Sequence, residues 1–207
     1  MFTVSPREAD VNIVVSDITY GEAATVLVNA EVDGVYAVFF NNIDGVFDVT
    51  VRNGVGSISV SGLNVESYSA TVSIDDDNYK AVNSTTFTVS KASTAITAAD
   101  VAKVYNVAKN YIIYLKDASG KAVNKATVTV KIGSTTYTKT TNADGQVSIA
   151  IENLKPATYT TTINFAGNTN YIASSLTTGK ITVSKATPKM TASKATFKLS
   201  DKTKNML

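Results

Sequence analysis

One short phrase recurs along this chain at nearly regular intervals. "FTVS" begins at Phe2, "FTVSKAS" begins at Phe87 and "ITVSKAT" begins at Ile181. The spacing is about 90 residues, close to the length of one antiparallel β-sandwich. If the phrase forms the closing strand of a unit, the first residues of the chain end a unit that precedes them. We therefore expect an excerpt from a tandem array of sandwiches.

A longer pair of matching segments supports the repeat. "LNVESYSATVSIDDDNY" from Leu63 and "LKPATYTTTINFAGNTNY" from Leu154 share a Leu, a Tyr, alternating apolar residues, a polar loop and a final Tyr. Alternation with a period of two predicts a strand with one buried side. Tyr68 and Tyr159 each begin such a strand just after the Leu. We predict that both are tyrosine corners, in which the hydroxyl bonds to backbone upstream.

The residue types favour strands and leave few groups for catalysis. The sequence is rich in Thr, Val and Ser and contains no His, Cys or Trp. Without His and Cys there is no imidazole base, thiolate nucleophile, usual zinc ligand or disulfide framework. An enzyme would need an acid pair such as Asp144 and Glu152, and no motif supports one. We predict an all-β protein that is not an enzyme and needs no cofactor.

Turn dipeptides separate the predicted strands. Asp33-Gly34 and Asn53-Gly54 supply the positive φ angles of tight hairpins, and Gly133-Ser134 separates "ATVTVKI" from "TTYTKT". We predict about seven antiparallel strands in each unit. The segment from Ala98 to Asn110 has partly helical spacing, but its counterpart "VVSDITYGEAA" in the first unit reads as extended. Residues 102–107 are therefore predicted to form a strand or an irregular edge.

The repeat divides the chain into three segments. Residues 1–91 and 92–186 are each predicted to fold as one sandwich with its own core. The linker around "SKAST", residues 90–94, is expected to be open to proteases. Residues 187–207 read as the truncated start of a further repeat. We expect this segment to be mobile, because one or two strands cannot bury enough apolar surface to offset backbone ordering.

The two units carry opposite charge. Residues 1–91 contain 12 of the 17 acidic residues and four of the 19 basic ones, so the rest of the chain is strongly basic. Several lysines are spread along the second unit: Lys103, Lys109, Lys116, Lys121, Lys125, Lys131 and Lys139. They are interpreted either as a solvated surface or as a site for an anionic polymer. Nucleic acid is not expected, because Arg is scarce and no stacking aromatics accompany the lysines.

Several of these segments resemble a known family. "ITYGEAATVLV", "DDDNYKAVNSTTFTVSK", "LKDASGKAVNKATVTVKIGSTTYTKTTNADGQVSIAI" and "FAGNTNYIASS" are similar to the bacterial-type immunoglobulin-like repeats of large adhesin-like surface proteins of methanogenic archaea. The resemblance covers nearly the whole chain and implies tandem immunoglobulin-like sandwiches. The second unit departs from the pattern, because it has "VYNVAKN" where the first unit has Tyr20-Gly21-Glu22.

The resemblance implies a non-catalytic, extracellular stalk or spacer that projects a binding region from the cell surface. Its partners would be neighbouring immunoglobulin-like repeats of the same chain, and further candidates are glycans or proteins on another cell. The alternative is a module that itself binds carbohydrate or a cell-wall polymer. No apolar run reaches the roughly 18 residues of a membrane span, and no signal segment follows Met1. A signal and an anchor are therefore expected outside this chain.

The acidic loop offers one candidate metal site. Asp75, Asp76 and Asp77 precede Asn78, and these oxygens suit calcium. The alternative is a solvated turn, because the second unit has only "AGNTN" there and one short loop seldom supplies six ligands. We expect the turn, and therefore no metal.

Two candidate modifications remain. Asn83-Ser84-Thr85 is the sole N-glycosylation motif, which makes Asn83 the expected acceptor in a surface protein. An isopeptide bond between Lys103 or Lys109 and Asn164 is conceivable. It would need a buried lysine, and nothing in the sequence marks either lysine as buried.

Overall fold

The computed structural model describes residues 5–194, which form strands, turns and loops and contain no helix that could cross a bilayer. The first sandwich contains β1 (Arg7–Glu8), β2 (Val11–Val15), β3 (Ile18–Thr19), β4 (Ala24–Ala30), β5 (Gly34–Phe40), β6 (Ile43–Val51), β7 (Val55–Val60), β8 (Ser67–Asp75) and β9 (Tyr79–Ser90). The second contains β10 (Thr94–Ala98), β11 (Val101–Val104), β12 (Asn110–Asp117), β13 (Thr127–Ile132), β14 (Thr135–Thr140), β15 (Gln146–Ala150), β16 (Ala157–Phe165) and β17 (Ser174–Ser184).

Each sandwich consists of a small and a large sheet with the same connectivity. In the first, a sheet of order β2-β4-β7 faces a sheet of order β1-β9-β8-β5-β6, and β3 also pairs with β9. In the second, β10-β12-β15 faces β11-β17-β16-β13-β14. This arrangement confirms the all-β class and the tandem immunoglobulin-like sandwiches. Among the described residues the two sandwiches have nine and eight strands, because short edge strands are added to about seven.

The short edge strands pair in a direction that the prediction did not include. β3 runs parallel to the end of β9, and β11 runs parallel to the end of β17. β1 runs parallel to the start of β9. A parallel pair needs a long crossover, and the whole length of a sandwich lies between the paired segments in each case. These pairs therefore hold the first and last segments of each unit together.

Each sandwich has a separate core built from the inward-facing half of its strands. The alternation predicted for the tyrosine strands is confirmed: Tyr68, Ala70, Val72 and Ile74 are all buried. In the first sandwich the buried apolar cluster extends from Val11 to Val89, and in the second it extends from Ile96 to Val183. The limits at residues 91 and 186 remain predictions, although each core lies within them.

The hairpin predicted at Asp33-Gly34 is wrong. β4 pairs with β2 and β7, whereas β5 pairs with β6 and β8, so this segment crosses from one sheet to the other. The Asp33 carboxylate instead accepts hydrogen bonds from the backbone N–H groups of Asn53 and Gly54, at 2.9 and 3.0 Å. Asp at this position therefore binds a second turn rather than forming one of its own.

The other two turns form as predicted, with different outcomes for the strands. Gly133-Ser134 joins β13 to β14 in a two-residue hairpin, with Ile132 paired to Thr135. Asn53-Gly54 has positive φ at both residues, 53° and 83°. The strands before and after the Asn53-Gly54 turn join different sheets, because β6 belongs to the large sheet and β7 to the small one. Turn chemistry thus identifies the reversal of the chain but not the sheet that each strand joins.

The remaining predictions on extended and terminal segments have separate outcomes. Residues 101–104 form β11 and residues 105–106 form a turn, in agreement with the extended prediction. Residues 185–194 carry no strand and are exposed. The "ATFKLS" part of the expected further repeat, and the rest of the segment to residue 207, lie outside the described residues.

Candidate functional site at the junction of the two sandwiches

A tight turn at residues 19–22 lies at the end of the first sandwich that is nearer to the second sandwich. The N–H of Tyr20 donates to the carbonyl of Ser90 at 2.8 Å, which ties the turn to the end of β9. Glu22 closes the turn twice, because its N–H donates to the Thr19 carbonyl at 3.0 Å and its carboxylate accepts the Thr19 N–H at 2.7 Å. Gly21 adopts φ of 96°, which favours glycine. The turn therefore fixes Tyr20 at the end of the sandwich.

A polar corner at residues 168–171 faces this turn from the second sandwich. The side-chain oxygen of Asn168 accepts the N–H groups of Asn170 and Tyr171, both at 2.9 Å. The N–H of Asn168 donates to the carbonyl of Tyr171 at 3.0 Å. Such an Asx turn needs no regular secondary structure to hold its shape. It places Tyr171 at the end of the second sandwich that faces the first.

The two tyrosine rings meet at the junction. The rings of Tyr20 and Tyr171 lie edge to face, with centroids 5.3 Å apart and planes at 82°. Burial raises the pKa of the Tyr171 hydroxyl, and nearby Tyr20 and Asp117 raise it further. Edge-to-face pairs of this kind add about 0.5–1.5 kcal/mol beyond the area that they bury. The junction is therefore a packed contact.

The linker between the sandwiches is itself part of the second sandwich. Ala92 is buried, donates its N–H to the carbonyl of Asn170 at 3.0 Å and accepts the N–H of Ile172 at 2.9 Å. The ammonium group of Lys91 donates to the carbonyl of Asn168 at 2.7 Å. Ala92, in the middle of the linker that was predicted to be open, is therefore buried and paired on both sides of its backbone, whereas cleavage at residues 90–94 stays a prediction.

A groove of about 170 Å³ runs between the turn at residues 19–22 and the turn at residues 117–121. Asp117 lines this groove, and only 8% of its surface is exposed. Its Oδ1 atom accepts bonds from the Ser119 N–H at 3.0 Å, the Ser119 hydroxyl at 2.6 Å and the Lys121 N–H at 2.9 Å. The carboxylate is thus used to shape the turn, and the groove offers packing surface rather than reactive groups.

The predicted tyrosine corners lie at corresponding places in the two sandwiches. The Tyr68 hydroxyl donates to the carbonyl of Asn64 at 3.2 Å and accepts the Asn64 N–H at 3.1 Å. The Tyr159 hydroxyl donates to the carbonyl of Lys155 at 3.0 Å. Each bond reaches four residues upstream, as the prediction requires. Tyr68 is buried and Tyr159 only half-buried, so their contributions to stability are expected to differ.

In the acidic loop, Asp76 has a structural use. Its Oδ1 atom accepts the N–H groups of Asn78 at 2.8 Å and Tyr79 at 2.7 Å. This is the same corner that Asn168 forms in the second sandwich. Asp75 and Asp77 are exposed on either side. Within residues 5–194, no group of three or more acidic side chains could hold a metal ion.

Asn83 lies on β9 with an exposed side chain that is already engaged. Its Nδ2 atom donates to the carbonyl of Val11 at 2.8 Å, and its Oδ1 atom accepts the N–H of Ser84 at 2.8 Å. The Nδ2 atom is the one that a glycan would modify. Glycosylation at Asn83 stays a prediction, and it would require the bond to Val11 to be released.

Lys103 is the candidate residue whose burial sequence reasoning missed. It is buried on β11, and its ammonium group donates to the carbonyls of Ile151 at 3.1 Å and Glu152 at 2.9 Å. Its position two residues after Val101, on the same face of the strand, was the signal that could have indicated burial. Asn164 is exposed on β16, and the Lys109 ammonium donates to the Ala102 carbonyl at 2.8 Å. The isopeptide partners are therefore not brought together.

The other polar candidates remain dispersed. Asp144 and Glu152 flank β15 at opposite ends, so the strand holds the two carboxylates apart. The remaining lysines of the predicted basic surface are exposed: Lys109, Lys116, Lys121, Lys125, Lys131 and Lys139. Their exposure fits a solvated surface and a site for an anionic polymer equally well, and the length of β15 separates the acid pair.

No protein-family model matches the chain, and no curated protein is significantly similar to it. Invasin, a bacterial integrin-binding protein, matches with a TM-score of 0.50 and 15% identity, over 82% of this chain and 39% of that chain. A 1.5-MDa bacterial ice-binding adhesin matches at 0.36 and 16%, over 88% and 67%. The fibronectin(III)-like modules of Clostridium thermocellum CbhA match at 0.34 and 13%, over 90% and 100%. At these identities the similarity concerns the fold alone.

Proposed function

We propose that the chain is a non-catalytic, extracellular adhesin-like module that spaces a binding region from the cell surface. Its partners are neighbouring immunoglobulin-like sandwiches of the same polypeptide. The observation that carries this proposal is the junction, where Ala92 is bonded into the second sandwich and Tyr20 packs on Tyr171. A spacer must resist bending, and a junction with a paired linker and packed rings resists it better than a free linker does.

The resemblance to adhesin-like repeats agrees with this role. The fold of invasin is shared at the level of the sandwich, and invasin binds integrin, but no residue of this chain inherits that activity. The dispersion of Asp144 and Glu152 supports a non-catalytic role. The proposal therefore rests on mechanical features of the chain and places the binding region elsewhere.

Small-angle scattering of the chain tests the spacer role directly. We expect a narrow distance distribution that fits two sandwiches held end to end at fixed orientation. Inserting four Gly-Ser residues between Lys91 and Ala92 should broaden that distribution, because the inserted chain is flexible. If the natural chain and the insertion variant scatter alike, the junction is already flexible and the spacer proposal fails.

The basic surface of the second sandwich favours one alternative, binding of carbohydrate or an anionic cell-wall polymer. Retention of the chain on cell-wall material, compared at low and high salt, separates the two functions. The control is a variant in which Lys116, Lys131 and Lys139 are all replaced by Gln. If the chain is a spacer, the natural chain should be retained no more strongly than this variant. Retention that is lost in this variant and at high salt would establish the alternative, because exposed charges are screened.

Calcium provides a further test of the proposed spacer. We propose that the Asp75–Asp77 loop acts as a turn without metal, because Asp76 is bonded to backbone N–H groups. The melting temperature should then be the same with EDTA and with millimolar calcium. If calcium raises the melting temperature of the natural chain but not that of Asp77→Asn, the loop binds the ion.

A further inference from the structure

The second sandwich ends in a turn that repeats the turn at the junction. The N–H of Tyr105 donates to the Ser184 carbonyl at 2.9 Å, just as Tyr20 donates to Ser90. The N–H of Val107 donates to the Val104 carbonyl at 3.1 Å. Asn106, with φ of 61°, takes the left-handed position that Gly21 takes in the first turn. Residues 104–107, called the distal tip below, are therefore built like the part of the first sandwich that docks on the second.

The distal tip differs from the junction turn in being more apolar. Val104 and Val107 are 41% and 51% exposed, at the positions that Thr19 and Glu22 occupy in the first turn. Tyr105 is half-buried, and within residues 5–194 no other aromatic ring packs on it. Three adjacent apolar side chains at the end of a sandwich form a surface that packing would stabilise.

The free end of the first sandwich carries the other half of the junction. Residues 76–79, called the proximal corner below, have the same hydrogen bonds as residues 168–171. The Arg7 N–H donates to the Asn78 carbonyl at 2.8 Å, as Ala92 donates to Asn170. Tyr79 corresponds to Tyr171 and is half-buried. Each half of the junction thus has a structural copy at the opposite end of residues 5–194.

The two free ends also carry opposite charge. Asp75, Asp76 and Asp77 are exposed at the proximal corner. At the end that holds the distal tip, exposed lysines lie before β12, before β16 and after β17: Lys109, Lys155 and Lys185. Complementary charge of this kind favours and orients end-to-end contact and disfavours contact between like ends.

We infer that the distal tip is a docking surface for the proximal corner of a second copy of this chain, with Tyr105 packing on Tyr79 as Tyr20 packs on Tyr171. The contact repeats an arrangement that the chain already contains, and it is heterologous, so it extends in one direction. A contact between one turn and one corner is expected to be weak between separate molecules, because stable interfaces involve many more residues on each side. It is therefore measurable when the two copies are joined.

A linked protein tests this inference. Lys185 of one copy is followed directly by Arg7 of the next, because Ser184-Lys185 corresponds to Ser90-Lys91 and Arg7 corresponds to Ala92. Small-angle scattering should show a single extended particle with a narrow distance distribution. Tyr105→Ala in the first copy should broaden the distribution and reduce the maximum dimension, because it removes the ring that docks at the new junction.

The same substitution in the second copy is the matched control. There the distal tip faces solvent, so Tyr105→Ala should leave the scattering unchanged. A thermal melt of this control shows whether the substitution itself destabilises the second sandwich. If the two variants scatter alike, or if the unsubstituted linked protein already bends freely, the inference is overturned.

Val107 offers a second variant in which the tip keeps its tyrosine. Val107→Glu in the first copy should broaden the distribution, because it brings a carboxylate to the acidic end of the next copy, and Val107→Lys should not. High salt should remove the difference. Equal behaviour of the two variants at low salt would contradict the proposed orientation. Because end-to-end docking does not depend on what the chain binds, retention on cell-wall material would overturn the spacer function and leave this inference standing.

Discussion

The two sandwiches fill the same interior with different residues. In the first, aromatic rings from the large sheet occupy the centre: Phe87 stacks on Tyr68 with centroids 5.4 Å apart and lies 6.2 Å from Phe40. In the second, the residue at the position of Phe87 is smaller. Ile181 pairs with Tyr159 there, whereas Phe87 pairs with Tyr68 in the first sandwich. At this position the large sheet of the second sandwich therefore contributes less side-chain volume to the core.

Tyr111, on the small sheet of the second sandwich, contributes aromatic volume to the same core. It is fully buried, and its hydroxyl lies 2.9 Å from the hydroxyl of Thr161, which donates to the Gly179 carbonyl at 3.1 Å. Ala70 stands in the first sandwich where Thr161 stands in the second, and it makes no such bond. A core of this fold can thus move its aromatic volume from one sheet to the other, provided that a buried hydroxyl gains a partner.

The largest test of this comparison removes the aromatic volume from each core. Tyr111→Ala and Phe87→Ala should each destabilise their own sandwich by about 3–5 kcal/mol, because each leaves a cavity. Chemical denaturation followed by residue-resolved amide exchange reports the two sandwiches separately. An equal loss of protection in both sandwiches from either variant would show that the cores are not independent.

A smaller effect should come from Gly179, which gives Tyr111 its space. A Cβ atom here would collide with the Tyr111 hydroxyl and with the side chain of Thr161. Gly179→Ala should therefore cost about 1–3 kcal/mol by overpacking. Thr85→Ala is the matched control on β9, because Thr85 pairs with Ala70 as Gly179 pairs with Thr161. A control that destabilises as much as Gly179→Ala would contradict this account.

The two tyrosine corners should contribute different amounts to stability, with the larger contribution from the more buried tyrosine. Tyr68→Phe removes two backbone bonds from a buried hydroxyl and should cost about 1 kcal/mol or more. Tyr159→Phe removes one bond from a half-buried residue and should cost about 0.5 kcal/mol. Urea midpoints of the two variants measure the difference. A larger loss from Tyr159→Phe would reverse the assignment.

The smallest effect expected is a difference in acid sensitivity. Hydrogen bonds from the backbone N–H groups of Gly54 and Asn53 lower the pKa of Asp33 in the folded first sandwich. Its contribution to stability is present above the pKa of the unfolded chain and is lost as the pH falls through the lower, folded value. Acid titration should thus weaken the first sandwich in that window, and Asp33→Asn should remove this part of the dependence. An unchanged titration in the variant would contradict the role of Asp33.

Much of the local structure could be predicted from the sequence. Alternation of Tyr68, Ala70, Val72 and Ile74 identified a half-buried strand, because a pleated strand turns successive side chains to opposite faces. Gly133-Ser134 identified a hairpin because a two-residue turn requires particular φ angles. Lys103 shows the limit: its burial depends on the carbonyls of Ile151 and Glu152, which lie far away in sequence.

By itself, the sequence determined the repeat, the strands and the positions at which the chain reverses, because these depend on neighbouring residues. Only the tertiary structure decided which sheet each strand joins, so that Asp33-Gly34 became a crossover rather than a hairpin. It also decided that Ala92 is buried and that Tyr20 meets Tyr171. These outcomes depend on ladders and contacts between residues far apart in the chain, and no local pattern encodes which distant backbone groups will be free to pair.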